Sequence, residues 1–421
     1  NANGEGGSAM LINMVYGVNF NQCIFDSNIA NSNGALRFNG FNDVQYTDCE
    51  FTDNEAANGG AMYYYTTGTG AHTNVEYLNC NFTNNKATVK NGGAMYVIAD
   101  NVDIIGCDFT DNHAESWAGA IIVGDKINDN FKETENFNVV NSTFTRNTAK
   151  YAGAIDTYGT KNAHIINSSF DDNAATLYGG AMYMTGDKGL IDNCNFTNNR
   201  AVNGSAIGYA PKPEGIQEQT KANITNSRFE NNIASNVATV WFESSHGRIA
   251  DCDFINNTAV TAAGIYVNID AVTIEKSTFT DNDASGDGGA IYVTSKGNPS
   301  NDNIPTLITF CDFTDNTAGG DAGAVYFAAN KGIIAKSNFT GNNATNGGAI
   351  YATGETLNIS NSKFIRNNAR NEGGAAYIKG QDSFIDYSQF TNNTAAGNGG
   401  ALVLEGAGQH VFKSTFTENK A

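Results

Sequence analysis

The chain has few prolines, few basic residues and no long apolar run. Only 4 prolines stand against 46 glycines in 421 residues, and 24 basic residues face 43 acidic ones, for a formal net charge of −19. A chain so short of clustered Lys and Arg is a poor partner for nucleic acid or an anionic membrane. No stretch approaches the ~18 consecutive apolar residues of a transmembrane helix, which excludes direct membrane insertion by that route. The opening Asn-Ala-Asn-Gly-Glu-Gly-Gly has neither the charged nor the apolar region of a secretory signal. No window shows an amphipathic helical period. There is no Cys-x-x-Cys and no His beside a cysteine, so the usual zinc patterns are missing.

What is present is repetition. Phe-x-x-Asn occurs fifteen times, as in Phe51/Asn54, Phe82/Asn85, Phe279/Asn282 and Phe390/Asn393. Ten of the fourteen intervals are 25 to 27 residues, and the others are 31, 35, 33 and 34. Between consecutive copies lies Gly-Gly-Ala-φ-Tyr with φ aliphatic, as at 59–63, 92–96, 179–183, 288–292, 347–351 and 373–377. The segments around both motifs are short, β-branched or aromatic, and alternate with period two. A unit of this length cannot bury its own apolar face, but stacked units can. The spacing therefore predicts an all-β fold, a right-handed single-stranded parallel β-helix of about fifteen coils. It predicts one continuous domain over 1–421, with three short strands per coil and a coil rise of ~4.8 Å. The same apolar slots recur inward in each coil, as at Met62, Met95, Ile265 and Ile291, and strand neighbours alternate faces. The Asn of Phe-x-x-Asn is placed in a turn, where stacked amides can form a ladder.

All seven cysteines sit two residues before the Phe, and the remaining coils have Ser there. That exchange marks a small buried slot, and free thiols are expected over disulfides. On the opposite strand face an aromatic stripe is expected to point outward: Tyr63, Tyr96, Tyr183, Trp241, Tyr266, Tyr292, Tyr326, Tyr351 and Tyr377. Such a stripe suits sugar rings or a protein partner, and it equally suits cross-strand packing. The four long intervals place their extra residues at one corner, at 66–74, 124–136, 209–221 and 295–305. In solenoids such insertions often form the binding face. Eleven Asn-x-Ser/Thr sequons are N-glycosylation candidates, at Asn81, Asn141, Asn167, Asn195, Asn203, Asn223, Asn256, Asn338, Asn343, Asn358 and Asn392.

No catalytic constellation emerges. Asp171-Asp172 is the only adjacent aspartate pair and occupies a turn slot, and the five histidines are scattered. No cofactor is expected, and Ca²⁺ has only the turn carboxylates Asp53, Asp111, Asp281 and Asp315 to offer. A polysaccharide lyase or hydrolase would need converging carboxylates.

Gly-Gly-Ala-[Ile/Leu/Val] paired with Phe-x-x-Asn resembles the repeat of the chlamydial polymorphic membrane proteins. The Asn/Thr-rich flavour of Phe390-Thr391-Asn392-Asn393-Thr394-Ala395 is similar to adhesin-like surface proteins of methanogenic archaea. The resemblance covers essentially the whole chain. It implies an extracellular, cell-surface β-helix acting in adhesion or self-association. Family adhesion motifs fall here on the Gly-Gly-Ala and Phe-x-x-Asn positions, which the residue reading assigns mainly to structure. Expected partners are other copies of the chain, head to tail or side by side, and other cell surfaces or glycans. The expected role is a non-catalytic structural or adhesive rod. The rival readings are a glycan-binding module on the Tyr stripe and corner loops, a fibre subunit, and a polysaccharide-degrading enzyme. The chain is further expected to be part of a longer array or a stacking subunit.

Overall fold

The computed structural model describes residues 8–65, 73–127, 130–132, 134–158, 160–185, 188–210, 221–295 and 304–421. Among them every regular element is a β-strand. The chain divides into two compact units, Asn1–Ile216 and Gln217–Ala421. Each is a stack of parallel β-coils.

A coil of the first unit runs through Met62–Tyr65, Asn74–Leu78, Asn81–Thr83 and Lys86–Ala87. A coil of the second runs through Ile291–Thr294, Thr306–Thr309, Asp312–Thr314 and Thr317–Ala318. The strands of a coil pair in parallel with their counterparts one coil away and build four ladders, the third of 15 strands and the fourth of 13. The first two ladders merge into one sheet in the earliest coils, where Met10–Asn21 and Leu36–Thr47 run through both positions. The coil thus carries four strands where the sequence predicts three. The additional one is only two residues long in most coils, as at Lys86–Ala87 and Thr317–Ala318, too short for alternation to reveal.

Three left-handed residues per coil turn the chain, and they fall at fixed places. One is the first Gly of Gly-Gly-Ala (Gly59, φ 56°; Gly347, φ 58°). One precedes the Cys/Ser slot (Asn79, φ 51°; Asn361, φ 50°). One lies two after the Phe (Asp53, φ 53°; Asp281, φ 54°). Asn, Asp and Gly dominate these corners because they tolerate the left-handed region. Where Ala takes the first Gly's place, as at Ala118, Ala152 and Ala322, φ stays positive. Backbone crowds both glycines, and a Cβ on Gly347 would lie 2.0 Å from the carbonyl oxygen of Ile350. A Cβ on Gly93 would lie 2.0 Å from the carbonyl oxygen of Gly119, and one on Gly348 2.2 Å from that of Gly374. Ser205, Thr239 and Ala263 take the second Gly's place in three coils, so the closeness of approach varies from coil to coil.

The core of each unit is a set of columns. In the first, Phe51, Phe82, Phe109, Phe144 and Phe170 stack with centroids 4.6 to 4.8 Å apart. In the second, Phe229 to Phe416 stack the same way, as for Phe339 and Phe364 at 4.7 Å and 3° or less from parallel. Burying each ring contributes about 1.5–3 kcal/mol, and the offset stack adds about 0.5–1.5 kcal/mol. Met62, Met95, Ile121, Ile265 and Ile291 are likewise fully buried.

Candidate functional site

The most conspicuous repeated polar residue lies inside. Asn54, Asn85, Asn282 and Asn367 are buried. Asn282 Nδ2 donates to the Phe254 carbonyl (2.9 Å) and to Asn316 Oδ1 (2.9 Å), while its own Oδ1 accepts from the backbone N–H and Nδ2 of Asn257 (3.2 and 3.0 Å). Asn85 repeats the pattern with Phe51, Asn112 and Asn54. Asn393 does so with Phe364, Asn419 and Asn367. Each amide ties three coils together and has no capacity left for a ligand.

The cysteine column is equally occupied. Cys252 Sγ donates to the carbonyls of Ala250 and Ile224. Ser277 Oγ donates to the carbonyl of Glu275 and accepts the backbone N–H of Cys252. Thiol and hydroxyl perform the same task, which explains their exchange. All seven cysteines are free thiols. Burial pushes Cys194, Cys252 and Cys311 up to about 12, so they are unreactive at neutral pH.

The aromatic stripe points away from the core columns but is less open than the sequence predicts. Tyr96 and Tyr377 are only 3% and 7% exposed, and Tyr63, Tyr183, Trp241, Tyr266, Tyr292, Tyr326 and Tyr351 are half-buried. The reason is stacking. In the second unit, Tyr266, Tyr292, Tyr326, Tyr351 and Tyr377 form one pile with centroid steps of 5.6, 4.4, 5.3 and 5.1 Å. In the first, Tyr63 and Tyr96 stack at 4.8 Å. Their faces are covered by one another, leaving ring edges and hydroxyls. Burial raises the Tyr292 and Tyr351 hydroxyls to about 12, with nearby Tyr and Asp charges adding to the shift. Asp156 and Gly208, also placed on the outward face by alternation, are buried.

Sequence reasoning missed a second aromatic column beside the first unit's stripe. Trp117 and Tyr151 stack at 4.1 Å, Tyr151 and Tyr178 at 6.0 Å, and Trp117 meets Tyr183 edge-on at 5.8 Å. These residues precede the Gly-Gly-Ala motif, where other coils have Asn33, Asn58 or Asn91. The only signal was an aromatic recurring at one turn offset in three successive coils.

Two of the turn acids, Asp53 and Asp111, are held by neighbours. Asn84 donates to Asp53, and Arg146 grips Asp111 through two bonds of 2.8 Å. Asp281 and Asp315 occupy the same left-handed corner. Among the described residues no three His, Cys, Asp or Glu gather as a metal-binding group. The adjacent Asp171 and Asp172 diverge, to Asn198 (3.0 Å) and Arg200 (2.9 Å). Arg248, beside His246, pairs with Glu275 at 2.6 Å.

None of the sequon asparagines is buried. Asn81, Asn141, Asn167, Asn195, Asn256, Asn338 and Asn392 are exposed, and Asn203, Asn223, Asn343 and Asn358 are half-buried. A shallow polar recess of about 320 Å³ runs past Asn141, Thr143, Asn167, Ser169, Asn193 and Asn195. Of the corner insertions, 66–72, 128–129, 133, 211–220 and 296–303 lie outside the described residues. The second insertion contains an antiparallel pairing of Asp125–Ile127 with Asn130–Lys132.

Stacked parallel coils turned by left-handed corners define a β-helix, and residues 132–306 match the family model described as a right-handed β-helix region. Residues 336–353 and 387–405 match the repeat of the Chlamydia polymorphic membrane proteins. The chain is a right-handed parallel β-helix with polymorphic-membrane-protein-type repeats. No curated protein and no solved structure matches it.

Proposed function

We propose that this chain is an extracellular, surface-displayed adhesin-like β-helix that mediates attachment or self-association without catalysis. Its repeats and its fold fit a surface adhesin-like role. The observation that carries the reading is the fate of the recurrent residues. Asn amides, Cys and Ser side chains and Phe rings are consumed in holding coil to coil, as are the turn acids Asp53 and Asp111. What is left for partners is the outer surface, repeated at the coil spacing.

The stacking of Tyr266 to Tyr377 favours packing over a lectin role for that stripe. A sugar ring stacks on an aromatic face, and here the faces are covered. The divergence of Asp171 and Asp172 takes from the enzyme reading the one adjacent aspartate pair of the sequence.

Antibodies to the purified chain, applied to intact cells that produce it, are expected to label the surface without permeabilisation. Labelling only after permeabilisation contradicts surface display. Soluble product released from a pectin, alginate and mannan panel contradicts the absence of catalysis.

A further inference from the structure

One corner of the second unit breaks the rules of the others. The left-handed position before the Cys/Ser slot holds Asn, Asp or Gly in most coils, as at Asn79, Gly106, Asn141, Asn167, Asn193, Asn226 and Asp251. Beyond Asn226 and Asp251 in the second unit, the same position reads Lys276, Phe310, Lys336, Asn361, Tyr387 and Lys413. All six have positive φ, with Phe310 at 56° and Tyr387 at 46°. A bulky aromatic is strained there. Core burial does not offset the strain, because Phe310 is 51% and Tyr387 49% exposed.

The six residues form one line. Phe310 N–H donates to the Ala335 carbonyl, Lys336 N–H to that of Ser360, Asn361 N–H to that of Asp386, and Tyr387 N–H to that of Phe412, each 2.9 to 3.1 Å. Consecutive members are therefore one coil apart, ~4.8 Å. Lys336 Nζ lies 4.7 Å from the Phe310 ring centroid, and Lys413 Nζ 5.3 Å from that of Tyr387. Several cations elsewhere sit on acids, as in Arg146–Asp111, Arg200–Asp172, Arg248–Glu275 and Lys379–Glu405. Among the described residues, Lys276, Lys336 and Lys413 have no such partner.

We infer that this corner binds an extended acidic polysaccharide, a uronate-rich chain laid along the coil axis. Exposed ring edges and faces offer apolar contact to sugar rings, and the intervening ammonium groups offer charge to their carboxylates. The positions recur at a step comparable to the length of a sugar unit. A line one residue wide is too narrow for a protein partner, since a stable interface buries about 800 Å² on each side. Exposed aromatics, and cations that have no acid partner, at strained positions of a chain of net charge −19 fit an anion bound there. The inference rests on the adhesive reading and names a ligand class for it.

The test is calorimetric titration of the full chain with an oligogalacturonate at low salt, with a neutral gluco-oligosaccharide as control. Saturable binding of the acidic oligomer alone is expected, weakening as salt rises. Phe310→Asn/Tyr387→Asn and, separately, Lys336→Gln/Lys413→Gln should each weaken it by about ten-fold or more. The aromatic double variant should at the same time unfold at higher urea concentration, because Asn relieves the left-handed strain. That opposition of stability and binding is not expected of a purely structural corner. No saturable binding by the unmodified chain, or unchanged affinity in both variants, overturns the inference. So does self-association that the variants abolish in the absence of any glycan binding. Beads coated with the variants that still attach to cells would sink this corner while leaving the adhesive reading standing.

Discussion

Asn282 shows how much one side chain holds in this fold. It donates to Phe254 and Asn316 and accepts twice from Asn257, and it is fully buried. Asn282→Ala strips the Phe254 carbonyl and the Asn257 N–H of partners where water cannot replace them. Each orphaned buried group costs about 1–3 kcal/mol, so the loss should total about 2–5 kcal/mol. Urea unfolding monitored by circular dichroism reads it directly, and a loss below about 0.5 kcal/mol would show that the ladder is not holding the coils. The same geometry explains why the residue is a poor ligand contact despite its conspicuous recurrence. The Phe and Asn positions were legible in the sequence because every coil repeats them. The strained Phe310 and Tyr387 were not, because neither residue type signals a left-handed turn.

At the scale of the strand and its corner, both glycines of Gly-Gly-Ala sit where a Cβ would meet backbone. One on Gly347 would lie 2.0 Å from the Ile350 carbonyl oxygen, and one on Gly348 2.2 Å from that of Gly374. Gly347 also has a positive φ, which Ala adopts at Ala118, Ala152 and Ala322. Gly347→Ala and Gly348→Ala should each cost about 2 kcal/mol or more, through backbone displacement. A loss below about 0.5 kcal/mol in urea unfolding for either would show that the corner has room for a Cβ. Alternation gave the inward residues of the longer strands, such as Met62 and Val75, because period two survives over four or five positions. It could not give Lys86–Ala87 or Thr317–Ala318, which are too short to show a period. It placed the Tyr stripe on the correct face but overstated its exposure, because strand parity says nothing of how rings one coil apart cover each other.

For the whole molecule, buried thiols and stacked phenols predict a direction of pH sensitivity. Cys194, Cys252 and Cys311, with Tyr292 and Tyr351, are pushed up to about 12 by burial. Unfolded, these groups ionise near pH ~8.5 for Cys and ~10 for Tyr. The folded state holds their protons longer, so their contribution is fully present below pH ~8.5 and is lost as pH rises towards 12. The melting temperature should be flat from about pH 6 to 8 and fall steadily above about pH 9. A thiol reagent should accordingly react slowly with Cys194, Cys252 and Cys311 in the native chain and quickly in urea, as peptide mapping of the labelled sites would show. A melting temperature that holds constant to pH 11 contradicts the burial of these groups.

Repeats similar to those of Chlamydia polymorphic membrane proteins, on a β-helix, fit the proposed adhesive role, whose defining act is attachment. Beads carrying the purified chain, flowed over cell layers or glycan-coated glass, measure it most directly. The account predicts retention well above that of bare beads and of beads carrying urea-unfolded chain. Retention no greater than either control would contradict it.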